Sequence, residues 1–229
     1  MPLTKRAESS AIFLSVKHHC IWQQLDKPTT DSVQVEVTNP ETKQVLTKHG
    51  YQYNDVSGHV AAIEKYDRTV KGKRYLGYKM KISDVAQVFY LDMPDNSRVL
   101  RKFLMLMPNI DWDKPLRIAA WKTRNKETSE FETALWFTQN GESVRNFYTK
   151  ANPNGLPEAI EHQRTGKWDF TDQEDFLFSK LDRDIIPAIA AATKRRGELH
   201  FDETERDEPH PEDSSISPNA PIDDDDVPF

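Results

Sequence analysis

The sequence is poor in the residues that form covalent and metal-bound frameworks. It has a single cysteine, Cys20, so an internal disulfide and a thiolate zinc cluster are both excluded. His18 and His19 precede Cys20, but adjacent strand residues point to opposite faces and no second ligand pair follows at zinc-finger spacing. We therefore expect a reducing compartment and no bound metal or other cofactor.

Long apolar runs are absent as well. No stretch reaches the roughly 20 apolar residues of a membrane-spanning helix, and Lys5 and Arg6 do not lead into the apolar segment of a secretion signal. Three common enzyme motifs are also missing: the Gly-Lys-Ser/Thr phosphate loop, the Gly-x-Ser-x-Gly elbow and His-Glu-x-x-His. We expect a cytoplasmic protein without a membrane partner that is not an enzyme.

The charges that are present divide unequally along the chain. The whole chain has 31 Lys and Arg against 37 Asp and Glu. Residues 198–229 hold 12 acidic residues and one arginine, a net charge of −11, which leaves a net charge of +5 for residues 1–197. A weakly basic body with a strongly acidic tail is typical of a body that binds polyanions and a tail that competes with them or recruits a basic partner.

The acidic tail ends in the layout of a peptide ligand. Residues 198–229 contain five prolines and too few apolar residues to offset the entropy of ordering, so they are predicted to be disordered. An apolar anchor and a terminal carboxylate beside an acidic run form a known peptide-recognition mode. We expect a partner protein to bind the last seven residues: Asp223, Asp224, Asp225, Asp226, Val227, Pro228 and Phe229.

This tip, Ile222 to Phe229, resembles the C-terminal tip of bacterial single-stranded DNA-binding proteins, which ends in an acidic run, an apolar residue, proline and phenylalanine. It is similar in layout to the acidic, aromatic-ended tails of phage single-stranded DNA-binding proteins. The resemblance implies sequence-independent coating of single-stranded DNA in replication, recombination or repair, and recruitment of replication or recombination proteins. The body lacks the short domain and long Gly/Gln-rich linker of bacterial members, so the resemblance implies a phage or plasmid protein in a bacterial cytoplasm.

The body has a strand-rich pattern interrupted by one helix. Short alternating or apolar runs predict strands at 11–16, 33–37, 56–66, 75–82, 85–91, 116–124, 131–139 and 143–149. Leu100, Phe103, Leu104 and Met107 repeat at helical spacing before Pro108. Residues 39–50 are expected only to connect strands. This order predicts a mainly β fold, an OB-like five-stranded barrel with extra N-terminal strands and an inserted helix.

Three domain-level segments follow from the composition. Residues 1–150 are predicted to form the OB-like DNA-binding domain, and residues 198–229 the disordered acidic tail. Residues 151–197 are predicted to form an extended connection and a C-terminal helix packed on the domain, with a kink or break at Pro187 and an end at Gly197. A monomer and a homodimer both remain open.

Three sets of interleaved basic and aromatic residues suit single-stranded nucleic acid, which is bound by base stacking and by Lys and Arg along the phosphates. The first set is Arg68, Lys71, Lys73, Arg74, Tyr75, Lys79 and Lys81; the second is Arg117, Trp121, Lys122, Arg124 and Lys126; the third is Trp136, Arg145, Tyr148 and Lys150. Trp121 alternates onto the face of Arg117, which favours exposure, whereas the pattern around Trp136 favours neither state. Trp112 and Trp168 are expected to be buried.

Two other functions are compatible with the sequence. A metal-dependent nuclease could use Asp84, Asp92, Asp111 and Asp113 as metal ligands, although each lies near a turn or element end, where aspartate is common for structural reasons. An adaptor that recruits a basic protein without binding DNA would explain the tail, but it would leave the basic and aromatic faces without a role.

Overall fold

A computed structural model describes residues 11–38, 43–70, 72–84, 87–124, 131–162 and 165–197. The acidic tail with its seven-residue tip lies outside the described residues, and so do Lys71 and Lys126. The roles predicted for these residues therefore stay predictions.

The part of the chain that the structure describes is mainly β, as the sequence predicted. Its strands are β1 (Ile12–Lys17), β2 (Cys20–Leu25), β3 (Val33–Thr38), β4 (Val45–Tyr53), β5 (Asp55–Val70), β6 (Lys73–Ser83), β7 (Val88–Pro94), β8 (Leu116–Arg124), β9 (Phe131–Gln139), β10 (Glu142–Ser143), β11 (Ile160–His162) and β12 (Lys167–Asp169). Its helices are α1 (Arg98–Leu106), α2 (Thr171–Lys180) and α3 (Ile186–Arg195). A 3₁₀ turn at Met107–Asn109 follows α1, and a π-helical turn at Leu181–Ile185 joins α2 to α3.

In the described part of the chain, ten strands form one open sheet in the order β10-β9-β8-β5-β6-β7-β1-β2-β4-β3. Neighbours pair in antiparallel fashion except β1 and β7, which are parallel. The remaining two strands, β11 and β12, form a separate hairpin. The sheet has β10 at one edge and β3 at the other, so the described strand pairs do not close it into a barrel.

The long strand β5 joins the two halves of the sheet. Its first residues, Asp55–Gly58, pair with β8, and the residues that follow pair with β6. A lone glycine in this strand predicted a bend or bulge, and the partner strand indeed changes directly after Gly58. A Cβ at Gly58 would lie 2.6 Å from the Ser83 carbonyl oxygen, so the close approach requires glycine. The bulge follows at Ala61, where the register shifts.

The core lies on the inner face of the sheet and is closed by the helices. On β6, Tyr78, Met80 and Ile82 are buried, while Lys79 and Lys81 lie on the opposite face, as alternation predicted. The residues predicted from helical spacing are buried, the first three in α1 and Met107 in the 3₁₀ turn that follows. Ser97 caps α1 by accepting a hydrogen bond from the Leu100 N–H at 3.3 Å.

Several segments differ from the sequence prediction, and β2, β11 and β12 were not predicted as strands at all. Residues 39–50 were expected only to connect strands, yet residues 45–50 belong to β4, which pairs with both β2 and β3. Most β4 side chains are at least partly exposed, so the strand lacks the apolar alternation that identifies strands in a sequence. The strand predicted at 143–149 ends at Ser143, because the N–H groups of Phe147 and Tyr148 donate instead to the Met105 carbonyl at 2.8 and 3.2 Å.

The C-terminal helices pack on the same core. The π-helical turn precedes Pro187, which has no N–H to donate and cannot continue a regular helix, so the predicted break occurs here. Buried Leu181 and Ile189 join the core cluster, and Gly197 has the positive φ of 73° expected after a helix end. Within the described residues, none of the helices combines the length and apolar character that crossing a bilayer requires.

Candidate nucleic-acid interface

Two tryptophan rings stack on the outer face of the β8–β9 hairpin. Trp121 pairs with Ala134 and Trp136 pairs with Ala119, so the two rings are diagonal neighbours on one face. Their centroids are 5.4 Å apart and their planes differ by 16°. Trp121 remains 42% exposed and Trp136 45% exposed. The exposure predicted for Trp121 is confirmed. Trp136, for which the sequence pattern favoured neither burial nor exposure, is exposed as well.

The tryptophans point outward because the alternate positions of both strands fill the core. Ile118 and Ala120 on β8 and Phe137 on β9 are buried, so the residues between them must face away from the core. The stacked rings therefore remain in contact with solvent, and we call Trp121 and Trp136 the tryptophan pair.

The basic residues of this hairpin do not all share the face of the tryptophan pair. Arg117 does, and it donates to Asp55 at 2.7 Å, which raises the pKa of the guanidinium. Lys122 and Arg124 alternate to the other face, where the Lys122 ammonium lies 3.8 Å from the centroid of the Phe131 ring. The second predicted set is thus divided between two faces.

The first predicted set follows the β5–β6 hairpin. Arg68 pairs with Tyr75, and its guanidinium lies 5.2 Å from the centroid of the Tyr66 ring. Arg74 forms a bidentate ion pair with Asp67 at 2.6 and 2.9 Å, so its charge is already compensated. Lys73, at the start of β6, is exposed. The surface of this hairpin therefore carries both cations and carboxylates, and Asp67 neutralises the charge of Arg74.

A second aromatic stack adjoins this hairpin, and the sequence reasoning missed it. Phe13 of β1 and Tyr90 of β7 stack with centroids 5.3 Å apart and planes 16° apart, and Phe13 is 45% exposed. Lys79 lies 5.5 Å from the centroid of Phe13, and Lys81 lies 5.6 Å from that of Tyr90. Neighbouring strands thus bring lysines of the predicted set onto two rings that are distant from them in the sequence.

Burial shifts the pKa values of two side chains on this outer face. The Tyr66 ring covers Gly77, where a Cβ would lie 2.5 Å from the tyrosine oxygen. Burial and a hydrogen bond to Asp92 raise the pKa of Tyr66. Burial, aided by the nearby Arg68, lowers the pKa of Lys79 because its ammonium is partly desolvated. A partly desolvated ammonium beside aromatic rings is a favourable site for a phosphate oxygen.

The third predicted set requires a correction. Tyr148 is 2% exposed and its ring meets Phe147 and Phe176 edge to face, so it is a core residue that no base can reach. Arg145 and Lys150, in the loop after β10, are exposed. Trp168, which was expected to be buried, is instead 55% exposed on the β11–β12 hairpin.

The four aspartates of the nuclease alternative are not brought together. Asp111 binds Lys114 at 2.7 Å, and Asp113 binds Arg195 at 2.7 Å. Asp92 bonds to Tyr66 on the outer face of the sheet. In the described ranges, no group of three or more His, Cys, Asp or Glu side chains is placed to hold a metal ion.

The described surface therefore combines exposed aromatic stacks with cations, which is the chemistry needed to bind bases and phosphates together. The chain matches no protein-family model, no curated protein and no solved structure.

Proposed function

We propose that this protein binds single-stranded DNA without sequence preference and coats it in the cytoplasm during replication, recombination or repair. The observation that carries the proposal is the exposed tryptophan pair, Trp121 and Trp136. Every base has a flat face that stacks on an aromatic ring, and each stack contributes about 1–3 kcal/mol. Because a duplex keeps its base faces covered, such a surface favours single strands.

The cations of β6 support the phosphate-binding part of the proposal. Lys79 and Lys81 lie beside the Phe13 and Tyr90 rings, so the same face offers rings for bases and ammonium groups for the backbone. Stacking on aromatic rings and contacts to phosphates do not depend on the identity of the base. The expected binding is therefore tolerant of sequence and strongly dependent on salt.

The strand order supports an OB-like plan for the body. The segment β9-β8-β5-β6-β7, with α1 following β7 in the chain, has the strand number and helix position of an OB fold. Such folds bind oligonucleotides on their second and third strands, here β6 and β7. A closed barrel would pair β7 with β9, but β7 pairs with β1 instead. In this arrangement the N-terminal strand β1 pairs with the edge of β7 that β9 would occupy in a closed barrel.

The tail supplies the second part of the proposal. Residues 198–229 carry a net charge of −11, and the tip from Asp223 to Phe229 offers an apolar anchor beside four aspartate carboxylates. We assign this tip to the recruitment of replication or recombination proteins. The charge of the tail also makes it an intramolecular competitor for the basic surface of the body.

The proposal is tested by fluorescence anisotropy on labelled single-stranded and duplex oligonucleotides over a salt series. Trp121→Ala and Trp136→Ala should each weaken single-strand binding by the value of about one stack, roughly 5- to 150-fold. Trp168→Ala is the matched control, because Trp168 is at least as exposed and lies on a separate hairpin. Thermal unfolding of each variant checks that the fold is retained.

Two outcomes would contradict the proposal. If Trp121→Ala and Trp136→Ala bind as tightly as Trp168→Ala, the tryptophan pair is not a binding surface. If the full chain and a chain ending at Gly197 both fail to bind DNA, the tail is left as the functional element and the protein is an adaptor.

A further inference from the structure

A cleft of about 680 Å³ opens beside the tryptophan pair. One wall is the edge of β9, which among the described residues pairs with β10 at Thr138 and Gln139 alone. The opposite wall comes from α1 and from the loop after β10. The lining includes Arg98, Lys102, Leu135, Trp136, Arg145 and Asn146. Trp136 thus belongs both to the stack and to the cleft.

The cleft carries positive charge that the described residues do not neutralise. Lys102 donates to the Asn146 amide oxygen at 2.9 Å, and burial lowers the pKa of its ammonium. Within the described ranges, no carboxylate lies in ion-pair distance of Lys102 or Arg145, whereas Arg98 is 3.9 Å from Glu132.

Several other cations of the body are paired with carboxylates instead. Arg74, Lys114, Arg117 and Arg195 each lie 2.6–2.7 Å from an aspartate oxygen. Desolvating an ammonium without an anion costs free energy, and an anion bound in the cleft would offset this cost. The cleft is therefore built to accept negative charge from outside the described chain.

We infer that the cleft binds backbone phosphates of the strand whose bases stack on Trp121 and Trp136. This inference rests on the proposed function and deepens it by assigning a path for the backbone. Trp136 places the base-stacking surface and the cleft next to each other, so a single strand can occupy both at once. Lys102 and Arg145 bind the phosphates, Asn146 positions Lys102, and Leu135 offers an apolar wall to the sugar.

The test compares the double variant Lys102→Gln/Arg145→Gln with wild-type full-length protein on an oligo-dT strand from 50 to 200 mM salt. Each lost phosphate contact lowers the slope of log K against log salt by about 0.7 for single strands, so two should lower it by about 1.4. Over this fourfold salt range, wild-type affinity should then fall about sevenfold more than the affinity of the variant.

A charge-matched control separates phosphate contacts from net charge. Lys167→Gln/Lys194→Gln removes two exposed lysines from β12 and α3, neither of which lines the cleft. This control should keep the wild-type slope. The inference is overturned if the cleft variant has the same slope as the control, and in that case the proposed function still stands if Trp121→Ala weakens binding.

An acidic peptide is the other ligand whose charge would suit the cleft. Binding of a labelled peptide of residues 222–229 tests this alternative. If the cleft variant loses the peptide but keeps the wild-type slope for DNA, the cleft binds an acidic peptide and the inference is wrong. If wild-type protein binds no single strand at any salt concentration, the proposed function fails and the inference fails with it.

Discussion

At the scale of single residues, the outer face of the sheet depends on an aromatic ring lying on a glycine. Gly77 has no side chain, so the Tyr66 ring can lie flat over β6 and reach Asp92 on β7. The ring carries Arg68 at 5.2 Å and Lys79 at 5.9 Å from its centroid. One glycine thus allows a cation-bearing aromatic surface to be built across three strands.

The hydroxyl of Tyr66 makes the free energy of unfolding depend on pH in the alkaline range. Burial and Asp92 raise the pKa of Tyr66 above its ordinary value of about 10. Below pH ~10 both the folded and the unfolded chain keep the proton, and this contribution to stability is complete. As the pH rises further, the unfolded chain loses the proton first, so the free energy of unfolding falls.

We predict that Tyr66→Phe flattens this alkaline decline by at most about 1.4 kcal/mol per pH unit. Urea unfolding at a series of pH values from 8 to 11, roughly spanning the ordinary tyrosine pKa, measures the slope. Tyr75→Phe, which removes a hydroxyl from the same face of β6, is the control. Parallel slopes for wild type and Tyr66→Phe would show that the hydroxyl does not titrate with folding.

Residue alternation predicted some of the candidate site and failed where strands end. Trp121 was predicted to be exposed because it shares a face with Arg117, and β8 does alternate in this way. Tyr148 was assigned to the strand expected to return from the Asn140-Gly141 turn, but its segment leaves the sheet after Ser143 and turns into the core. Alternation gives the two faces of a strand and does not give the position where pairing stops.

At the scale of elements, α3 completes the hydrogen bonding of the β5 bulge. The bulge at Ala61 leaves carbonyl groups that β6 does not pair in register. The Thr193 hydroxyl donates to the Ala61 carbonyl at 3.0 Å, and Arg196 donates to the Val60 carbonyl at 2.9 Å. Thr193 is 1% exposed, so no solvent could replace this bond. The helix therefore stabilises the strand on which both halves of the sheet depend.

We predict that Thr193→Val lowers the free energy of unfolding by about 1–3 kcal/mol. Valine has nearly the same shape, so the loss comes from hydrogen bonds: the buried Ala61 carbonyl loses its donor, and Arg196 loses the Thr193 oxygen to which it donates at 3.2 Å. Urea unfolding followed by tryptophan fluorescence measures the change. Thr47→Val, at an exposed position of β4, is the control and should change stability little. Equal stability of the two variants would mean that the bond to Ala61 contributes nothing.

The pairing of elements shows why part of the candidate site could not be predicted. The strands that carry Phe13 and Tyr90 were both predicted from their apolar patterns, but their parallel pairing joins segments about 75 residues apart. No local pattern specifies such a partner. The tryptophan pair was accessible to sequence reasoning because a hairpin joins neighbours in the chain, whereas the Phe13–Tyr90 stack depends on the whole sheet.

At the scale of the whole molecule, the dominant feature is the division of charge. The net charge of +5 on residues 1–197 and of −11 on residues 198–229 must attract each other at low ionic strength. The candidate surface contains Lys79, Lys81, Lys102 and Arg145. DNA and the tail would thus compete for the same cations, and salt weakens both interactions together.

We predict that a chain ending at Gly197 binds single-stranded DNA more tightly than the full chain at 50 mM salt, and that this difference shrinks towards 1 M salt, where the Debye length is only about 3 Å. Replacing Asp223, Asp224, Asp225 and Asp226 with Asn should recover part of the gain, because seven net negative charges remain in the tail. Anisotropy titrations of the three proteins on one oligonucleotide measure the differences.

Deleting Phe229 alone separates the charge of the tail from its tip. The deletion removes no acidic side chain, so DNA affinity should match that of the full chain while capture of a partner protein is lost. If this deletion instead raises DNA affinity as much as ending the chain at Gly197, docking of the tip and not tail charge causes the competition. Equal affinity of the truncated and full chains at 50 mM salt would mean that the tail does not compete at all.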